Sequence, residues 1–174
     1  VSVKMGLTDK GENDGSAGLL IGVEASEEKD VRAAVYFGQG IRAGISTKGF
    51  AFIGLKTKTL PENFNFQQFR IEFSGKPTGD IYNLSMILFD SEDNSVLEIT
   101  DQTEGNITGI IKLVNNFISS DSKNNGPRYW YDDLILTGSK FENQPGNRFG
   151  PVLWTMYTLS RNTLKMTAQL PPLG

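Results

Sequence analysis

Short runs of alternating apolar and polar residues recur along the chain, and turns rich in glycine and asparagine separate them. In the clearest run, Phe69, Ile71 and Phe73 are apolar. The residues between them, Arg70 and Glu72, are charged. Side chains alternate across a strand, so this spacing places the apolar set on one face. No comparable apolar stripe at helical spacing occurs between helix caps, and the pattern predicts an all-β protein.

The nine predicted strands before the C-terminal region are residues 17–23, 31–37, 41–46, 50–55, 66–74, 81–90, 96–100, 109–118 and 129–138. Turn signals come roughly every 8–12 residues, which is typical of β-sandwiches and barrels. The third and fourth strands form a predicted hairpin around the turn at residues 47–49. Because strands do not alternate with helices, we predict an antiparallel β-sandwich of the jelly-roll type.

The C-terminal region consists of a linker followed by two predicted strands. A polar linker containing proline and glycine occupies residues 141–147. Two further strands are predicted at 152–159 and 163–170, with a turn between them. We therefore predict a sandwich domain over residues 1–143 and a linker with two strands over 144–174. Two strands are marginal alone, so they either pack on the sandwich or begin a second domain.

The composition excludes several classes of catalytic site, metal site and binding partner. The chain has no histidine and no cysteine, which excludes serine–histidine and cysteine–histidine catalysis and histidine- or cysteine-based zinc sites. Its net charge is −3, and no basic cluster offers a surface for nucleic acid. No apolar run approaches the roughly 18 residues that a membrane span needs. Carboxylate-pair chemistry and oxygen-ligated metals remain open.

One resemblance concerns the predicted closing strand. Residues 129–136 read YWYDDLIL, and residues 41–45 read IRAGI. Both segments resemble those of concanavalin A-like lectin and glucanase sandwiches, in which an aromatic–aspartate–aliphatic strand ends the domain. The resemblance covers most of residues 15–138 in pattern. It implies a concanavalin A-like fold and, as partner, a glycan.

A second resemblance concerns the C-terminus. Residues 149–154 (FGPVLW), 158–161 (TLSR) and 164–173 (LKMTAQLPPL) are similar to a domain junction in alkaline phosphatase D-like phosphoesterases. This resemblance implies a bacterial parent that is periplasmic, on the cell surface or secreted, with neighbouring domains in the same chain. It implies no catalysis here, because the family's metal-binding aspartate, asparagine and histidine residues have no counterparts.

Aromatic residues are the first candidates for glycan binding, since aromatic rings stack on sugar faces. Tyr129 and Tyr131 share one face of their strand, and Trp130 takes the other. We predict that Trp130 is in the core and that the two tyrosines are exposed as a binding platform, with Tyr82 as a further ligand-binding residue. The alternative is that the tyrosines pack beneath the loop at 119–127.

Asp132 and Asp133 are the candidate ligands of a structural calcium ion. Hard cations bind several converging oxygens, and related sandwiches often carry calcium near the closing strand. The alternative is that one of these aspartates caps a turn or pairs with an arginine. No EF-hand spacing occurs in the chain.

A glycoside hydrolase needs two facing carboxyl groups. The acidic runs at residues 24–30 and 90–93 lie in predicted loops, so we interpret them as solvated. We therefore predict a non-catalytic accessory module that binds a glycan. The alternatives are a structural spacer of a larger phosphoesterase without a ligand of its own and, less favoured, a glycoside hydrolase.

Overall fold

The computed structural model describes residues 1–24, 38–104, 107–115, 126–139 and 154–169, with only the backbone of residues 24, 154 and 169. The chain divides into two compact units, Val1–Gly138 and Ser139–Gly174. Within the described residues all regular structure is β-strand, which confirms the predicted all-β class. The described segments contain no helix that could cross a membrane.

The strands, in chain order, are β1 (Ser2–Asp9), β2 (Ser16–Glu24), β3 (Gln39–Ser46), β4 (Phe50–Ile53), β5 (Lys56–Thr59), β6 (Phe69–Thr78), β7 (Ile81–Phe89), β8 (Ser95–Thr103), β9 (Ile110–Asn115), β10 (Arg128–Ile135), β11 (Trp154–Ser160) and β12 (Thr163–Gln169).

The first unit is built from two antiparallel sheets of five strands each. The first sheet has the order β10-β1-β6-β7-β8, and the second has the order β5-β4-β3-β2-β9. Alternate side chains of both sheets meet in one hydrophobic core, which includes Met5, Leu19, Ile45, Phe69 and Met86. Burial of these apolar side chains stabilises the unit as a sandwich of two layers.

Side chains bridge both open sides of the sandwich. On one side, the Lys58 ammonium of β5 donates to the backbone carbonyl of Glu98 in β8, at 2.9 Å. On the other side, the Tyr131 hydroxyl of β10 donates to the backbone carbonyl of Val114 in β9, at 2.7 Å. These bonds satisfy carbonyl groups of edge strands, and the lysine also discourages edge-to-edge association.

The predicted hairpin of β3 and β4 is observed. Its turn places Gly49 at a φ of 85°, a conformation that glycine adopts without a steric penalty. Gly44 of β3 serves a different purpose, because a Cβ atom there would overlap the carbonyl oxygen of Ala17 in β2. The backbones of β2 and β3 can therefore approach closely at this point.

Two of the observed strands were not predicted, and the reasons differ. In β1, the apolar residues Val3, Met5 and Leu7 alternate with Lys4 and Gly6, so the strand pattern was present in the sequence and was missed. In β5, the sequence Lys-Thr-Lys-Thr has no apolar residue, because this edge strand is exposed along its length. The strand predicted at 31–37 lies outside the described residues.

The second unit contains the hairpin of β11 and β12, as predicted. Arg161 and Asn162 at its turn have φ values of 49° and 60°, as a two-residue type I′ turn requires. Tyr157, Leu159 and Met166 share one face with Leu164 and are 57–71% exposed. The hairpin is therefore amphipathic, with an uncovered apolar face within the described residues.

Candidate functional site

The structure reverses the predicted orientation of the closing strand. Tyr129 is buried, at 9% exposure, and belongs to the hydrophobic core. Tyr131 and Tyr82 are half-buried and pack against the same core. Trp130 lies on the outer face of the first sheet beside Gly6, and its Nε1 donates to the Gln67 carbonyl at 3.2 Å. The prediction of an exposed tyrosine platform with Trp130 in the core is therefore wrong.

The two core tyrosines differ in hydrogen bonding. The Tyr131 hydroxyl donates to Val114, as described above, whereas the buried Tyr129 hydroxyl has no hydrogen-bond partner among the described residues. Burial raises the pKa of Tyr129 to about 12 and raises that of Tyr131 further. Both groups are therefore neutral at physiological pH and act as structural groups of the core.

Asp132 and Asp133 make local contacts. The Asp133 carboxylate forms an ion pair with Lys4 at 2.7 Å, and this pairing raises the pKa of the lysine. An Asp132 carboxylate oxygen accepts the backbone N–H of Asp133 at 2.8 Å. Within the described residues no group of three or more acidic side chains converges on one point. The calcium site remains a prediction, which melting curves with calcium and with chelator would test.

The outer face of the first sheet carries a polar cleft of about 790 Å³. Its hydrogen bonds run across three strands. The Ser85 hydroxyl donates to Glu98 at 3.0 Å, and the Gln102 amide donates to Asn83 at 2.8 Å. The Asn83 amide in turn donates to Thr78 at 2.8 Å. None of the described lining residues is aromatic. Much of the hydrogen-bonding capacity of this face is thus used internally.

Two carboxylates of this cleft, Glu72 and Glu98, lie opposite each other across Ile87 of β7. Their backbones are two strand spacings apart, which is roughly 10 Å. In a retaining glycosidase the two carboxyl groups themselves are about 5–5.5 Å apart. Glu72 is also bound to Arg70, at 3.0 Å. The acidic run at 90–93 forms a turn, in which an Asp90 carboxylate oxygen accepts backbone N–H groups.

A second cleft, the Phe50–Phe52 groove, lies on the outer face of the second sheet and has a volume of about 640 Å³. Ala51 and Ile53 of β4 point into the core, and Phe50 and Phe52 lie on the opposite face of the strand. Phe50 is half-buried, whereas Phe52 is buried at 7% exposure. Their rings meet edge to face with centroids 6.3 Å apart. The residues that line the groove are Asn13, Asp14, Gly15, Ser16, Arg42, Ser46, Lys48, Phe50, Phe52, Gly54, Leu55 and Thr57.

Turns and loops frame this groove and order its polar groups. Ser46 of β3 pairs with Ser16 of β2, and both serines are buried beside the phenylalanines. The Ser46 hydroxyl donates to the Gly15 carbonyl at 3.2 Å. Thr47 donates to the Asp14 carboxylate at 3.0 Å and accepts the Gly15 N–H at 3.0 Å. The loop before β2 is thereby tied to the turn after β3.

The sequence predictions did not identify this groove. Its signal is the FAFI run of β4, in which both faces of the strand are apolar. One apolar face packs in the core, and on the other face Phe52 is buried while Phe50 remains partly exposed and can serve as a surface for a ligand. Ser16, Arg42 and Phe50 are distant in sequence, and only the pairing of β2, β3 and β4 brings them together.

Fold and site together define a two-layered, antiparallel β-sandwich with an aromatic groove on one outer face and a polar cleft on the other. Comparison with protein-family models, with curated proteins and with solved structures finds no match for the chain.

Proposed function

We propose that this chain is a non-catalytic accessory module that binds a glycan in the Phe50–Phe52 groove. The observation that carries the proposal is that the half-buried Phe50 ring lies beside ordered polar groups in one open cleft, with the buried Phe52 ring edge to face against it. Aromatic rings bind the apolar faces of sugars, while hydroxyl groups and backbone groups bind their hydroxyls. The polar cleft of the first sheet lacks this combination, because none of its described lining residues is aromatic.

The proposal includes the finer type of fold and the setting of the domain. β1 pairs with β10, and β2 pairs with β9, so the first and last strands of the sandwich are nested. This nesting supports a jelly roll of the concanavalin A-like type. The resemblance of the C-terminal segment supports a parent protein that is a bacterial envelope or secreted phosphoesterase with other domains.

The test is a glycan array probed with the full 174-residue chain and with two variants. Phe50→Leu removes the ring and keeps an apolar side chain, so the fold is retained and binding falls roughly tenfold. Phe89→Leu is the matched control, because Phe89 is a half-buried phenylalanine on the outer face of the other sheet. Its ring is covered by the Arg70 guanidinium, 3.8 Å from the ring centroid.

Saturable binding that Phe50→Leu weakens and Phe89→Leu leaves unchanged would support the proposal. A blank array would overturn it. Equal loss in both variants would also overturn it, because the groove would then have no specific role. Thermal melts of both variants separate a loss of binding from a loss of folding.

A structural spacer is the second candidate, and the exposed apolar face of the β11–β12 hairpin favours it. Large apolar side chains that share one face of a hairpin are ordinarily covered by a partner. A neighbouring domain of the parent protein would serve as that partner. Amide hydrogen exchange of the hairpin tests this function, since slower exchange in the intact parent than in this chain is expected.

A further inference from the structure

The Phe50–Phe52 groove has a basic side chain toward each end. Arg42 lies on β3 toward the Leu55 turn, and Lys48 lies in the turn that joins β3 to β4. From Arg42 to Ser46 the strand advances by roughly 13 Å, and Lys48 follows in the next turn. Two positive charges are therefore separated along the groove, with the phenylalanine rings between them.

Neither cation forms an ion pair with another described residue. Among the described residues, the ion pairs are formed by Lys4 and Arg70, and none involves Arg42 or Lys48. Both side chains belong to exposed residues that line the groove, so they are free to meet a ligand. In the polar cleft of the first sheet, by contrast, the carboxylate of Glu72 is already paired.

One carboxylate, Asp14, also lines the groove. It accepts a hydrogen bond from Thr47, which holds it in the loop before β2. The groove therefore carries two positive charges and one negative charge, whereas the whole chain has a net charge of −3. The groove is therefore locally positive on a chain whose net charge is negative, so an anion is attracted to this surface more than the net charge indicates.

We infer that the glycan bound in this groove is acidic, with its carboxylate groups paired to Arg42 and Lys48 and a sugar face on Phe50. This inference rests on the proposed function and names the class of glycan. Guanidinium and ammonium groups bind carboxylates by charge-assisted hydrogen bonds. The Phe50 ring holds the sugar itself, so charge and shape are recognised together.

The test compares hexagalacturonate with the uncharged hexasaccharide cellohexaose, by isothermal titration calorimetry on the full chain. Hexagalacturonate binds more tightly, and its affinity falls as salt is raised through about 0.1 M, where the screening length is about 10 Å. The variants Arg42→Gln and Lys48→Gln each lose affinity about fivefold, which is the effect expected of an exposed ion pair. Neither variant changes the affinity for cellohexaose.

Two further variants test whether the position of a charge determines its effect on binding. Lys76→Gln makes the same charge change on the outer face of the first sheet and leaves binding unchanged. Asp14→Asn keeps an oxygen that accepts the Thr47 hydrogen bond and removes the only carboxylate among the described lining residues. It therefore binds hexagalacturonate more tightly than the unmodified chain.

The outcomes separate this inference from the function on which it rests. Equal affinity for the two sugars, with weaker binding in Phe50→Leu, would overturn the acidic ligand and leave a neutral glycan binder. A loss of affinity in Lys76→Gln equal to that in Arg42→Gln would overturn the groove as the site, because attraction would then be general. Absence of binding to either sugar overturns this inference, and a blank array overturns the function as well.

Discussion

Tyr129 and Tyr131 stand two residues apart on the same face of β10, yet replacing each by phenylalanine is expected to change stability in opposite directions. The Tyr129 hydroxyl is buried without a hydrogen-bond partner among the described residues. A buried polar group without a partner costs about 1–3 kcal/mol. Removing this oxygen in Tyr129→Phe therefore raises the free energy of unfolding, by roughly 1 kcal/mol once the small loss of packing is allowed for.

Tyr131→Phe has the opposite effect. It removes the hydrogen bond to the Val114 carbonyl, which bridges the two sheets at their open side. The carbonyl of an edge strand loses a partner, and the expected cost is about 1 kcal/mol. Each variant loses one oxygen from the same residue type, so the two serve as controls for each other.

Urea denaturation followed by tryptophan fluorescence measures both changes. With a slope of about 2 kcal/mol/M, the midpoint rises by about 0.5 M in Tyr129→Phe and falls by about 0.5 M in Tyr131→Phe. A fall in both midpoints would refute the reasoning, because it would mean that the Tyr129 hydroxyl makes a favourable interaction in the folded protein.

Alkaline pH provides an independent check on Tyr129. Burial raises its pKa to about 12 in the folded chain, against about 10 for an unfolded tyrosine. The unfolded state therefore releases the proton first, and stability is retained below pH 10 and lost between about pH 10 and 12. Tyr129→Phe loses less stability over that interval than the unmodified chain.

Three further predictions concern other parts of the sandwich. Gly44→Ala places a Cβ atom against the carbonyl of Ala17, so urea denaturation is expected to show a loss of about 3 kcal/mol or more in the free energy of unfolding. In the matched variant Gly49→Ala the new Cβ atom meets no atom within 4 Å, and the loss is about 1 kcal/mol because of the positive φ. Lys58→Ala removes the cation that covers the edge of β8, and light scattering is expected to show more self-association than in the unmodified chain. The backbone N–H of the turn residue Asn94 lowers the pKa of Asp90. The ionised Asp90 carboxylate therefore stabilises the folded chain above about pH 4, and this stabilisation is lost below that pH. Acid denaturation of Asp90→Asn is expected to lack this contribution.

The pattern of apolar residues was sufficient to predict most strands, because each strand exposes one face and buries the other. The strands around Phe69 and around Leu84 alternate cleanly, and both are observed near the predicted bounds. The polar turn at Asp90 was also predictable, since an aspartate oxygen that binds nearby backbone N–H groups is a local feature. These elements depend on residues that are close together in sequence.

The closing strand shows where local pattern is insufficient. Tyr129, Trp130 and Tyr131 are all aromatic, so alternation places them on two faces without saying which face is buried. The answer depends on β1, which pairs with β10 and sets Gly6 opposite Trp130. The ring of Trp130 occupies space that a side chain at position 6 would need, and the tyrosines are turned toward the core.

The sequence by itself determined that this chain is an all-β protein, that it lacks histidine- and cysteine-dependent chemistry, and where most of its strands run. Only the tertiary structure decided which aromatic residues are exposed and which residues share a surface. Ser16, Arg42 and Phe50 acquire a common groove because the three antiparallel strands β2, β3 and β4 pair side by side. Strand periodicity is a local property, whereas a binding surface depends on contacts between residues that are far apart in the chain.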